Sequence, residues 1–118
     1  MIAIVDDYKV LREALEKLLR SLGHRTSTFV SAEDFLESGK LHDTSCLITD
    51  VRMPGMTGLD LQDRLIADGH RIPIIFITAH PDDHVRERAM KAGAVAFLVK
   101  PVDTDHLIRH LDGAVKAA

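Results

Sequence analysis

Five short apolar runs alternate with longer amphipathic segments along this chain, and that alternation limits its possible folds more than any other feature. The runs lie at Ile2–Val5, Thr28–Val30 with its flanks, Cys46–Thr49, Ile74–Ile77 and Val95–Val99. Repeated strand-helix units build a parallel sheet, because a parallel neighbour is reached only through a crossover long enough to hold a helix. Strands this apolar throughout are expected to be buried on both faces, so helices must cover both. The fold predicted is an α/β doubly wound sheet of five parallel strands with five helices, forming one domain over residues 1–118. In such sheets ligands bind beyond the carboxyl ends of the strands.

The punctuation agrees with the periodicity. Leu11, Ala14, Leu15, Leu18, Leu19 and Leu22 recur at three- and four-residue steps, so they share one helical face that is predicted to pack on the sheet. Gly23, Gly39, Gly69 and Gly93 each close a predicted helix. Ser31 with Asp34, and Thr57 with Asp60, have capping spacing, while Pro81 and Asp103 suit helix openings.

Several function classes drop out on composition. The net charge is -3 and the Lys and Arg residues are scattered, so no basic stripe offers itself to nucleic acid. No signal peptide is visible, and the apolar runs fall far short of the ~20 residues a membrane helix needs. Cys46, the single cysteine, lies in an apolar run and reads as a small core hydrophobe. These features predict a cytoplasmic protein. Because the sequence opens in a strand and closes in a helix, it is compatible with being one part of a longer protein.

The functional question is therefore which residues stand at the strand ends. The first strand ends in Asp6 and Asp7, the third in Asp50, the fourth in Thr78, and the fifth in Lys100 followed by Pro101. Gathered carboxylates repel one another and would raise at least one pKa, a conflict that a hard divalent cation resolves. An oxygen-only ligand set favours magnesium, or manganese in its place, over zinc. A metal beside a free carboxylate, with an ammonium and a hydroxyl opposite, is the equipment for receiving a phosphoryl group. Asp50 is the best nucleophile, since it stands alone on the central strand while Asp6 and Asp7 are better placed to hold metal.

The motifs "IVDD" (Ile4 to Asp7), "TDVRMPGMTG" (Thr49 to Gly58), "FITA" (Phe76 to Ala79) and "AFLVKP" (Ala96 to Pro101) stand in an order and at separations that resemble the receiver domains of bacterial two-component response regulators. The resemblance covers essentially the whole chain. Phrases such as "SAEDFL" and "MKAGAVAFLVKP" look most like the subgroup typified by the nitrogen-fixation regulators. It implies a flavodoxin-like sheet of strand order 2-1-3-4-5, with Asp50 as the phosphoacceptor. Asp7 and Asp50 would ligate magnesium directly, Asp6 through water, and Arg52 through its backbone carbonyl. Lys100 would contact the phosphoryl group, with a cis peptide before Pro101. Thr78 and Phe97 match the family's switch pair, in which the hydroxyl moves toward the phosphoryl oxygen and the ring turns inward. The face made by the fourth helix, fifth strand and fifth helix would then change its affinity for an output domain or partner, or for a second copy of the chain. A sensor histidine kinase would supply the phosphoryl group. One departure is Tyr8, where many members of the subgroup carry a further acidic residue.

Other readings fit less well. A receiver-shaped interaction module that is never phosphorylated would not need every acidic, hydroxyl and lysine group to be present. An aspartyl-phosphate phosphatase of the haloacid dehalogenase type wants a second aspartate two places after the nucleophile, where this chain has Arg52. The pairs His80/His84 and His106/His110 have the four-residue spacing of helical metal ligands, but without a third ligand they read as solvated. Asp82 and Asp83, with Pro81, read as first-turn charge favoured by a helix dipole.

Overall fold

In the computed structural model, which describes residues 1–117, five strands form one parallel sheet in the order β2-β1-β3-β4-β5. Along the chain the elements are β1 (Ile2–Val5), α1 (Lys9–Ser21), β2 (Thr26–Phe29), α2 (Ala32–Glu37), β3 (Cys46–Asp50), α3 (Gly58–Ala67), β4 (Ile74–Thr78), α4 (Asp83–Lys91), β5 (Ala96–Val99) and α5 (Thr104–Ala117). The doubly wound architecture and the flavodoxin-like strand order are those expected. A single 3₁₀ turn at Leu41–Asp43 precedes β3 and was not foreseen.

Strand alternation divides the core into two layers. Ile2, Ile4, Cys46, Ile48, Ile75, Ile77 and Ala96 face α1 and α5, where Leu15, Leu19, Leu107 and Leu111 meet them. Ala3, Val5, Leu47, Ile74 and Phe76 face the other way, toward Phe35 of α2, Leu59, Leu61 and Leu65 of α3, and Ala89 of α4. Buried among the first layer, the Cys46 thiol is pushed up to about 12 by desolvation, so it stays a neutral core group.

Four local expectations shift. Full burial on both faces holds for β1, β3 and β4, but β2 and β5 are the sheet edges and are only partly covered. β2 lies at Thr26–Phe29, and Val30 is 51% exposed beyond it. On α1 the buried contact narrows to Leu15 and Leu19, while Ala14 and Leu22 face solvent. The fourth helix opens two residues after Pro81, with Asp82 as its N-cap accepting from the amides of His84 and Val85. The other caps match their spacing: Ser31 accepts from the Asp34 amide, and Asp103 from that of His106.

Register is what builds the site. Val5 pairs with Thr49, Asp50 with Ile77, and Thr78 with Val99. The carboxyl ends of the four strands from β1 to β5 therefore finish level along one edge of the sheet.

Candidate functional site

On that edge Asp6 lies one residue beyond β1, Asp50 closes β3, Thr78 closes β4, and Lys100 lies one residue beyond β5. Asp6 and Thr78 are buried, Asp50 is 7% exposed, and Asp7 is open to solvent. One carboxylate oxygen from each of Asp6, Asp7 and Asp50 lies within 4.8 Å of the other two. The Lys100 ammonium donates to Asp50 Oδ2 at 2.7 Å and stands 3.4 Å from Asp6 Oδ2.

Backbone groups hold the acids in place. Asp6 Oδ1 accepts from the Tyr8 amide at 2.8 Å, and Asp50 Oδ1 from the Arg52 amide at 3.1 Å. Neither Asp6 nor Asp7 caps α1, whose N-cap Tyr8 makes no side-chain capping bond. Asp7 is thus left free for other work, while Asp6 is shared between the Tyr8 amide and the Lys100 ammonium. Arg12, one turn into α1, reaches back and donates from Nη1 to the Asp6 carbonyl at 2.8 Å, tying the helix to the loop that carries both acids.

Burial raises the Asp6 carboxyl above its ordinary value of 3.8, and the neighbouring Asp50 charge adds to the rise; the Tyr8 amide and Lys100 pull against it. For Lys100, burial alone would lower the pKa, but the hydrogen bond to Asp50 and the charges of Asp6 and Asp50 outweigh it, and the group is held above its ordinary value. Three clustered carboxylates face one ammonium, so the pocket retains excess negative charge. Its donor set is oxygen-only and one carboxylate is open to water, which suits a hard divalent cation that keeps several waters.

The loop after β3 is braced from three sides. Gly58 donates its amide to the Val51 carbonyl at 2.9 Å, and an added Cβ there would run into the Asp50 carbonyl oxygen, so only glycine lets the loop close this tightly. Thr57 and Asp60 form a reciprocal capping box that starts α3. From α2, Glu33 Oε2 accepts from the Met56 amide at 3.4 Å and lies against Gly55.

Asp6, Asp7, Asp50 and Lys100 are thus brought together, and Arg52 meets Asp50 through its amide. Thr78 shares the edge, but its hydroxyl accepts from the His80 amide at 3.1 Å. Phe97 is half-buried in β5, paired in register with Phe76, their ring centroids 6.4 Å apart. The Lys100–Pro101 peptide is cis. Sequence reasoning missed Arg12 and Glu33. Arg12 could have been found from its place beside Leu11 on the inner side of α1, whereas the only signal at Glu33 was its position in the first turn after the Ser31 cap.

The family model described as "Response regulator receiver domain" matches residues 2–112. The response regulator protein TmoT of Ectopseudomonas mendocina is 45% identical over 118 residues, covering 100% of this chain and 54% of that protein. The transcriptional regulatory protein FixJ of Bradyrhizobium diazoefficiens is 37% identical over 117 residues, covering 99% of this chain and 57% of that protein. Among solved structures, the response regulator StyR superposes with a TM-score of 0.92 at 44% identity, over 98% of this chain and 59% of that one. The chain thus spans a little over half the length of the curated relatives it matches. On the family match and these identities, this chain belongs to the response regulator receiver domains of two-component signalling, with FixJ-like neighbours.

Proposed function

We propose that this receiver takes a phosphoryl group onto Asp50 from a sensor histidine kinase and relays the event through Thr78 and Phe97 to an output partner. The observation that carries the reading is the Lys100 ammonium, 2.7 Å from Asp50 Oδ2, at the mouth of a cluster shared with Asp6 and Asp7. An Asp50 carboxylate oxygen attacks the phosphorus, a new O–P bond forms, and the bond to the donor's histidine nitrogen breaks with its electron pair. Lys100 changes partner from carboxylate to phosphoryl oxygen. Magnesium, or manganese, supplies the remaining positive charge when bound; Asp7, Asp50 and the Arg52 carbonyl would hold it directly and Asp6 through water.

Thr78 leaves the His80 amide to donate its hydroxyl to the phosphoryl oxygen, and Phe97 turns into the space this opens. The surface of α4, β5 and α5 then changes its affinity for an output domain or for a second copy of the chain. FixJ is named a transcriptional regulatory protein, and this chain lacks a basic stripe, so we place any contact with DNA in another domain. The reading places the protein in the cytoplasm, where the kinase's transmitter domain would meet it; among the described residues no helix is long and apolar enough to cross a membrane.

Acetyl phosphate with magnesium is expected to add one phosphoryl group, seen by intact-mass spectrometry, and Asp50→Asn is expected to abolish it. Undiminished labelling of that variant would overturn the assignment. No labelling of the native chain would favour a phosphorylation-independent interaction module instead.

A further inference from the structure

We propose that Gln62 is a positioning residue: it pins the C-terminal half of α4 to α3, so that the N-terminal half of α4 is the part left free to follow Thr78. Gln62 lies on the buried stripe of α3 between Leu61 and Leu65 and is only 2% exposed. Its Nε2 donates to the Ala89 carbonyl of α4 at 3.1 Å. Its Oε1 is buried and has no partner among the described residues. A buried amide that satisfies only one of its two ends is poor value for stability, and a leucine would fill the same space without the orphan acceptor. The glutamine is therefore better explained by the one bond it makes.

That bond falls on the one point where α4 is buried, in a helix that has little else to hold it. Ala89 is the only residue of α4 that is buried, Val85 is half-buried, and the others face solvent. The Ala89 carbonyl is among the last four of the helix, which lack partners within it; it accepts from the Ala94 amide as well as from Gln62. One residue on along α3 and one back along α4, Asp63 pairs with Arg88, an exposed ion pair that adds little by itself but joins the same two turns. Both links therefore reach α4 at its C-terminal half.

The other end of α4 is secured differently. Asp82 caps the amides of His84 and Val85, which are internal to the helix start. The loop ahead of it is tied to the sheet by the His80 amide donating to the Thr78 hydroxyl. On the reading that Thr78 turns toward a phosphorylated Asp50, that amide loses its acceptor and the loop is released. Gln62 still holds Ala89, so α4 swings about its C-terminal half rather than sliding along the sheet.

The test is site-resolved amide exchange of the unmodified protein beside Gln62→Leu, with Gln62→Met as a second variant that also fits the space. Loss of one buried hydrogen bond is expected to speed exchange of the α4 amides by about tenfold. Exchange in α1 and α3 and the thermal midpoint should stay the same, or the midpoint should rise. Labelling by acetyl phosphate should become several-fold faster, because less work is needed to move α4. Unchanged α4 exchange in both variants, or a rise spread evenly through the molecule, overturns the pin. Faster α4 exchange with unchanged labelling overturns its link to Thr78. If the native chain takes no label at all, it is the Asp50 reading that has failed, and α4 exchange alone decides the role of Gln62.

Discussion

Helices α3 and α4 cover the same face of the sheet, and each follows a strand whose last residue belongs to the candidate site, yet they are anchored in opposite ways. α3 buries Gly58, Leu59, Leu61, Gln62 and Leu65 and begins with a reciprocal capping box. α4 buries Ala89 alone. The difference matches what each strand end has to do. Asp50 must stay fixed relative to Asp6, Asp7 and Lys100, because a carboxylate displaced by an ångström no longer shares their pocket. On the proposed reading Thr78 moves on phosphorylation, and a helix with few apolar contacts moves at little cost.

The largest difference between the two helices is expected in the core. Leu65→Ala should cost about 2–5 kcal/mol of global stability, as buried leucines do, whereas Val85→Ala on half-buried α4 should cost under about 1 kcal/mol. Both are read from chemical denaturation, and equal losses would show that α4 is as firmly held as α3. The caps sharpen the contrast at smaller scale. Thr57→Ala and Asp82→Ala each remove a side-chain cap worth about 1 kcal/mol to its helix. The first should lower the global unfolding midpoint, and the second should appear chiefly as faster local amide exchange in α4. A fall in the global midpoint with Asp82→Ala as large as with Thr57→Ala would contradict this.

The smallest expected effect is that of pH. Asp60, fully exposed, is held below its ordinary value of 3.8 by the amide and hydroxyl of Thr57. A depressed carboxyl stabilises the fold above its unfolded pKa, and that contribution is lost as pH falls through the folded value. The stability deficit of Asp60→Asn should therefore be fully present above 3.8 and close below it. A deficit that persists unchanged in acid would mean that the box does not act through charge.

Strong periodicity made most of this fold readable from sequence. β1, β3 and β4 are continuous apolar runs, and nothing else competes for them. β2 was harder, because its residues are Thr-Ser-Thr-Phe on a sheet edge, and the apolar Val30 drew the expected strand past its end. The stripe on α1 read wider than it is, since the sheet beneath covers Leu15 and Leu19 but not Leu22. At the site, the acids and lysine were legible because strand ends are where polar residues interrupt apolar runs. Arg12, Glu33 and Gln62 were not, because each acts on a backbone group of a different segment. A hydrogen bond to a carbonyl or an amide leaves no trace in the identity of its partner.

The pocket's opposite charges come from distant parts of the chain. Lys100 meets Asp6 across 94 positions and Asp50 across 50. Its counter-charge arrives only when β5, an edge strand and the last to be made, docks beside β4. With β5 undocked, the acids at the ends of β1 and β3 would lack the Lys100 ammonium that offsets them. If Asp50 takes a phosphoryl group as proposed, such a species lacks the ammonium that would meet it, so fraying of that one outer strand would silence the protein long before its centre came apart.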